Sequence, residues 1–122
     1  MWTYSQSAHT LRRDGVLVSS DGHSGNGVGL NNPSAQMLHN VGPLPRGRYR
    51  IGGWCAHPHL GPISAPLIPQ PSVPDTFQFA WLGGRGGFYV HGPELSEGCI
   101  VQLHDTRVTM ALSGDNDIEV VY

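Results

Sequence analysis

The sequence predicts a single mainly β domain, a small twisted sheet or open barrel-like sandwich with one or two short helices. Three observations carry that expectation. Gly (17) and Pro (10) fall between short apolar runs, together about a fifth of the chain and below the roughly 25–30% that marks disorder, so they read as turn punctuation. Asp14-Gly15 separates Thr10–Arg13 from Val16–Ser19, the pair that a tight hairpin needs where φ turns positive. Polar and apolar residues alternate along Arg48–Ile51, the period of a half-buried strand. A chain of 122 residues has room for one hydrophobic core, so residues 1–122 are expected to form one folding unit.

The elements follow in order. After the first hairpin, Ser24 to Asn32 (SGNGVGLNN) is either a flexible loop or a place where backbone closes on a ligand. It is no phosphate cradle, because no Lys follows it and no buried strand precedes it. Ser34–Asn40, after Pro33, is expected to make a short helix, and Gly42 to Gly47 turns the chain into the strand Arg48–Ile51. The Pro-rich stretch Ala65–Pro74 is expected at a sheet edge or in a loop, since proline has no amide to donate. Thr76–Leu82 and Gly87–His91 read as paired strands across Gly83-Gly84-Arg85-Gly86. Asp105 to Leu112 fits a short helix, with Asp105 as its cap and Gly114 just beyond its end. Ile118–Tyr122 is expected to close the sheet.

Composition removes several functions. All seven basic residues are Arg, which excludes lysine chemistry. A net charge of −2 and a pI near 6.3 give no electrostatic footprint for nucleic acid. Arg46, Arg48 and Arg50 alternate on one strand face, either solvated or meeting an anionic group. No apolar run approaches the length of a membrane span, and Met1 to Ser20 does not read as an export signal. Cys55 and Cys99 are too few to build a disulfide scaffold, although they would suffice for one bridge.

The chemistry concentrates in Phe88-Tyr89-Val90-His91-Gly92-Pro93-Glu94-Leu95-Ser96-Glu97-Gly98-Cys99-Ile100-Val101. An apolar strand ends at His91, the chain turns through Gly92 to Gly98, and Cys99 begins a second apolar run, so the two side chains can face each other. A thiol attacks only as thiolate, and a neighbouring imidazole both favours that form and returns the proton to a leaving amine. Gly98 leaves the amides of Gly98 and Cys99 unshielded for an oxyanion, with Ser96 and Gly92 as supporting positions. The plainer reading makes Cys99 a buried small hydrophobe and His91 a satisfied core histidine.

The motif resembles the signature of the L,D-transpeptidase catalytic domain, in which a His-Gly pair ends one strand and Ser-x-Gly-Cys-Ile/Val follows a loop. Here these are His91-Gly92 and Ser96-Glu97-Gly98-Cys99-Ile100, and Gly42 to Ile51 is similar to a second family element. The chain resembles most the short L,D-transpeptidase-like effectors of type VI secretion systems. Trp2 to Ser7, Ser24-Gly25-Asn26-Gly27, Asn31-Asn32-Pro33, Gly61-Pro62 and Ser113-Gly114-Asp115 match that group in order. It departs from many L,D-transpeptidases in having Val101 and Gln102 where an Arg or Asn follows the nucleophile.

The resemblance implies a cysteine L,D-transpeptidase or L,D-carboxypeptidase without cofactor, acting on peptidoglycan tetrapeptide stems, with Cys99 as nucleophile and His91 as base. Glu97, Arg85 and Tyr89 are expected as substrate contacts. A backbone carbonyl often orients the family's His, and the sequence does not identify it here. The resemblance also implies injection into the periplasm of a rival Gram-negative cell, a secretion-apparatus carrier and a cognate immunity protein. The alternatives are a housekeeping or phage-derived enzyme of the same type and a non-catalytic wall-binding module. A zinc peptidase built on His57 and His59 with His23, His91 or His104 is the rival chemistry. Cys55, outside any motif, is expected to be a free structural thiol. Trp54, Tyr49, Phe77, Phe79, Trp81 and Tyr89 are expected to pack a core, and Glu94 with Glu97 to be solvated or to attract an ammonium group.

Overall fold

A computed structural model describes residues 1–38, 41–57, 60–70, 88–92 and 99–122. Among them are ten strands: β1 (Trp2–Ser5), β2 (Leu11–Arg13), β3 (Val16–Ser19), β4 (His23–Ser24), β5 (Gly47–Ile51), β6 (Cys55–His57), β7 (Gly61–Pro69), β8 (Tyr89–His91), β9 (Ile100–Val101) and β10 (Asp117–Val121). One α-helix, α1 (His104–Ser113), accompanies them. The strands form a curled half-barrel in the order β3-β2-β1-β10-β5-β7-β8-β9-β4, with β6 paired to β7.

The first hairpin forms as its turn residues require. Asp14 and Gly15 take φ of 49° and 84°, the double positive φ whose twist matches that of the flanking strands. Alternation then builds the core: Trp2 and Tyr4 of β1, Ile118 and Val120 of β10, and Tyr49 and Ile51 of β5 are buried on one side of the sheet. Tyr49 packs edge-on against Phe88 at 6.0 Å and donates its hydroxyl to the Pro45 carbonyl at 2.7 Å, so its polar end is satisfied inside. Trp54 is partly buried against the same cluster. Arg48 and Arg50 lie on the exposed face of β5, where Arg48 approaches Glu119 at 3.8 Å.

Four expectations are corrected. The described part of the Pro-rich stretch, to Gln70, is not at an edge: Ala65–Pro69 belongs to β7, which lies between β5 and β8, and residues 71–74 lie outside the described residues. Its prolines are tolerated because Pro66 takes part through its carbonyl, which accepts from the Gly52 amide at 2.8 Å, while Leu67 supplies the amide toward Phe88. Among the described residues of the helix expected over Ser34–Asn40 there is one 3₁₀ turn, Pro33–Ala35, capped by the Asn32 side chain accepting from the Ser34 amide. Asp105 lies inside the first turn of α1, whose N-cap is Leu103. A carboxylate there still faces the positive helix end, and Gly114 closes the helix at φ 69° as expected. Finally, β10 does not close the sheet but runs inside it, parallel to β1 and antiparallel to β5. Thr76–Leu82 lies outside the described residues.

One polar corner fastens β1 to the end of α1. The Asp115 carboxylate receives the Met1 ammonium at 2.9 Å and Arg13 Nε at 3.1 Å, and the Asp115 carbonyl accepts from the Trp2 indole at 3.0 Å. Burial pushes the Asp115 carboxyl upward, but donation from the Met1 ammonium, Arg13 and the Asp117 amide outweighs it and holds the group below its ordinary value. The unfolded chain therefore takes up this proton first as pH falls. The stabilisation is present above about pH 4, the unfolded carboxyl range, and is lost below it. Asp115→Asn should lower the melting temperature by a few degrees at pH 7, with the difference from wild type shrinking in parallel thermal melts as the pH falls through the lowered Asp115 value.

Candidate functional site

Two short strands set the site. β8 and β9 are parallel neighbours, with Val90 opposite Ile100 and His91 opposite Val101. Paired residues share a face and successive residues alternate, so Val90 and Ile100 point into the core while Tyr89, His91, Cys99 and Val101 share the other side. Val90 and Ile100 are fully buried, as this requires. His91 and Cys99 are thus diagonal neighbours on adjacent strands, about 8 Å apart at Cα from strand spacing and rise. The bond from the Gln102 amide to the His91 carbonyl, 3.0 Å, fixes this register.

Backbone groups orient both side chains. The Tyr89 amide donates to Cys99 Sγ at 3.3 Å, and a donor aimed at sulfur favours thiolate over thiol. His91 Nδ1 lies 2.9 Å from the Gly92 carbonyl. A carbonyl only accepts, so Nδ1 carries the proton and Nε2 keeps its lone pair. The orienting group that the sequence left open is therefore the residue after His91. His91 is buried and Cys99 half-buried, so the imidazole is shielded from water and the thiol is reachable.

Behind Cys99, the buried Ser24 hydroxyl donates to the Cys99 carbonyl at 2.8 Å and accepts from the Leu44 amide at 2.7 Å. Asn31 secures Ser24 in turn: its side chain accepts from the Ser24 amide at 3.1 Å, and its amide donates to the Ser24 carbonyl at 2.9 Å. The Gly-rich stretch is thus a built support for β9. Gly25 takes φ of 84°, and a Cβ there would meet the carbonyls of Gly29 and Val41; only glycine fits.

Arg107 of α1 ties the strand ends together. Its buried guanidinium donates to the carbonyls of Gln102 (3.0 Å), Pro62 (2.6 Å) and Ile63 (3.1 Å). Ile63 has φ of 56°, a strained value for a β-branched residue, and the clamp on its carbonyl holds that kink. A Cβ at Gly92 would lie 3.1 Å from the same guanidinium, so His91-Gly92 rests directly on Arg107. Burial pulls the pKa of Arg107 below its usual value.

Of the residues singled out in the sequence, Cys99, His91, Tyr89 and Gly92 come together. Tyr89 contributes its amide to the sulfur, and Gly92 contributes its carbonyl and its lack of a side chain. Ser96, Glu97, Gly98, Arg85, Glu94, Phe77, Phe79, Trp81 and His59 lie outside the described residues. Sequence reasoning missed Ser24 and Arg107. The only available signals were a small hydroxyl inside a Gly-Asn run and a cation inside an amphipathic helix. Cys55 is unbonded and exposed. It lines an apolar hollow of about 440 Å³ with Trp54, Pro62, Ile63 and Leu112, with no imidazole on that lining. Among the described residues, no three His, Cys, Asp or Glu side chains converge as metal ligands, and no helix is long and apolar enough to cross a membrane.

The curled, mainly β sheet thus brings a cysteine before one strand and a histidine at the end of its parallel neighbour onto one face. The Tlde1 domain model matches residues 19–120, and the chain belongs to that family of L,D-transpeptidase-like type VI secretion effectors. A comparison with curated proteins gave no match.

Removing the Arg107 clamp should be costly. Arg107→Met keeps the apolar stem but leaves the carbonyls of Gln102, Pro62 and Ile63 unpaired, at about 1–3 kcal/mol for each that stays buried. Urea denaturation should show a loss of at least about 2 kcal/mol, the lower part of that range summed over partly rehydrated groups.

Proposed function

We propose that this protein is an antibacterial peptidoglycan-modifying enzyme in which Cys99 is the nucleophile and His91 the general base. The observation that supports this best is the pair of backbone bonds at the site: the Tyr89 amide on the Cys99 sulfur and the Gly92 carbonyl on His91 Nδ1. Together they favour an ionised sulfur and leave an imidazole lone pair on the same face. A structural cysteine requires neither.

The substrate is the tetrapeptide stem, cleaved between the L-centre of diaminopimelate and the terminal D-Ala. His91 Nε2 takes the thiol proton, and the Cys99 sulfur attacks the diaminopimelate carbonyl carbon, forming a C–S bond and an oxyanion. The oxyanion collapses, the C–N bond breaks, and the imidazolium proton passes to the departing D-Ala amine. The thioester then meets an acceptor whose proton His91 removes, and the thiol is regenerated. Water gives L,D-carboxypeptidase activity, a D-amino acid gives exchange, and a second stem gives a cross-link. The amides of Gly98 and Cys99 hold the oxyanion, Ser96 keeps the approach small and polar, and Glu97 and Arg85 contact the stem. No cofactor takes part.

Cys99→Ala and His91→Ala should each reduce turnover of purified tetrapeptide muropeptides to below a few per cent of wild type, by mass spectrometry, with melting temperatures retained, because the two groups act as a unit. Substantial turnover by Cys99→Ala overturns the mechanism.

The site of action is the periplasm of a neighbouring Gram-negative cell, reached by secretion with a carrier, and the producer holds a cognate immunity protein that covers the cleft at Cys99. Expression in a Gram-negative host should be harmless in the cytoplasm and should lyse or arrest cells when a signal peptide directs the chain to the periplasm. Cys99→Ala should abolish that toxicity, and equal growth defects from both compartments would contradict a cell-wall target.

A further inference from the structure

β4 adds an imidazole to the face that carries Cys99. β4 pairs antiparallel with β9, with His23 opposite Val101 and Ser24 opposite Ile100. Ser24 belongs to the core side with Ile100, and His23 therefore shares the face of Val101, His91 and Cys99. The row runs His91, Val101, His23 across three strands. Cys99 sits two positions back along the middle strand, so His23 and His91 are its diagonal neighbours on opposite sides, each about 8 Å away at Cα.

The two histidines differ in what they touch. His91 is buried and held by the Gly92 carbonyl. His23 is half-buried, and its ring makes no hydrogen bond among the described residues, whereas both its neighbours are locked. Ser24 is pinned between the Cys99 carbonyl and the Leu44 amide. Gly22 lies so close to β9 that a Cβ would strike the Val101 carbonyl and the Gln102 side chain. A rigidly placed imidazole with free nitrogens, within a ligand's reach of the sulfur, is preorganised for binding. Cys99, His91 and His23 do not converge closely enough to hold a metal ion, so the spacing suits an organic ligand.

We propose that His23 anchors the terminal carboxylate of the stem whose penultimate carbonyl Cys99 attacks; this rests on the function proposed above. In a peptide the final carboxyl carbon lies on the order of 4 Å from the preceding carbonyl carbon, one residue's span. With the scissile carbon at Cys99, the carboxylate falls within reach of a ring extending from His23. An imidazole N–H donates to it in either protonation state. Arg107 is the less suited group, because it is buried and its Nε and Nη1 are engaged with three backbone carbonyls. His23 thereby selects stems that end in a free carboxylate one residue past the attacked carbonyl, and it does so as a binding residue, with His91 alone moving the proton.

The test uses full-length protein and two probes, a disaccharide tetrapeptide with a free terminal carboxylate and the same compound as its terminal carboxamide. Calorimetric titration of Cys99→Ala should show the acid binding about tenfold or more tightly than the amide, the gain of one charge-assisted hydrogen bond. Adding His23→Ala should bring the two affinities within about twofold, and His23→Arg in its place should restore the preference. In the otherwise wild-type enzyme, His23→Ala should raise KM for the acid about tenfold while kcat changes less than threefold. An undiminished acid preference in Cys99→Ala/His23→Ala overturns the assignment of His23 and leaves the enzyme reading standing. Turnover that survives Cys99→Ala overturns Cys99 as the nucleophile, while the acid-against-amide comparison still judges His23. Failure of Cys99→Ala to bind either probe overturns both.

Discussion

The register of β8 against β9 is the constraint on which the site depends. Side chains alternate along a strand, so a slip of one residue would send Cys99 into the core and bring Ile100 to the surface, separating the thiol from the imidazole entirely. A parallel pair this short, with three residues in β8 and two in β9, has few ladder bonds of its own. Its register is secured from outside. The Gln102 amide reaches the His91 carbonyl, Ser24 holds the Cys99 carbonyl, and Arg107 grips the Gln102 carbonyl while lying against Gly92. Each of these is a buried polar contact, and such contacts are costly when half made. Alternative registers are therefore penalised as strongly as the native one is favoured.

That arrangement explains why the least regular parts of the sequence do so much. The Gly- and Asn-rich segment contributes few residues to the sheet, yet Asn31, Ser24 and the left-handed Gly25 form the brace behind β9. On the opposite side, α1 covers the sheet mainly through Met110 and Arg107. A small domain has little apolar area to spend on specificity, and here buried hydrogen bonds supply it. The kink at Ile63, held by Arg107, shows the same trade on the β7 strand.

Two backbone groups contribute to the electrostatics of the site, the Gly92 carbonyl at His91 and the Tyr89 amide at Cys99. A carbonyl on Nδ1 fixes the ring and its tautomer without placing a full negative charge beside it, unlike a carboxylate. An amide on sulfur offers the thiolate a partial positive charge that needs no reorganisation. Gly92 follows His91 in sequence, whereas Tyr89 lies on the facing strand opposite Cys99, ten residues away. The two contacts are therefore set as soon as the strands pair, with the imidazole buried and the thiol half-exposed.

The sequence by itself determined the local events: the Asp14-Gly15 hairpin, the β5 alternation, the Gly114 helix end, and the strands that end at His91 and begin after Cys99. Each is written in neighbouring residues, through φ preferences, side-chain period or motif spacing. The proline-rich β7 was misjudged because composition cannot say which amides a strand must donate, and in the fold Pro66 is asked only for its carbonyl. The parallel sense of β8 and β9, the inward position of β10 and the bracing by Ser24 and Arg107 were decided only by tertiary structure. They join residues separated by 44 or 45 positions from Arg107 to the Ile63 and Pro62 carbonyls, and by 75 from Ser24 to the Cys99 carbonyl. Contacts at that separation are chosen by which strands come to lie side by side, and no local preference encodes that choice.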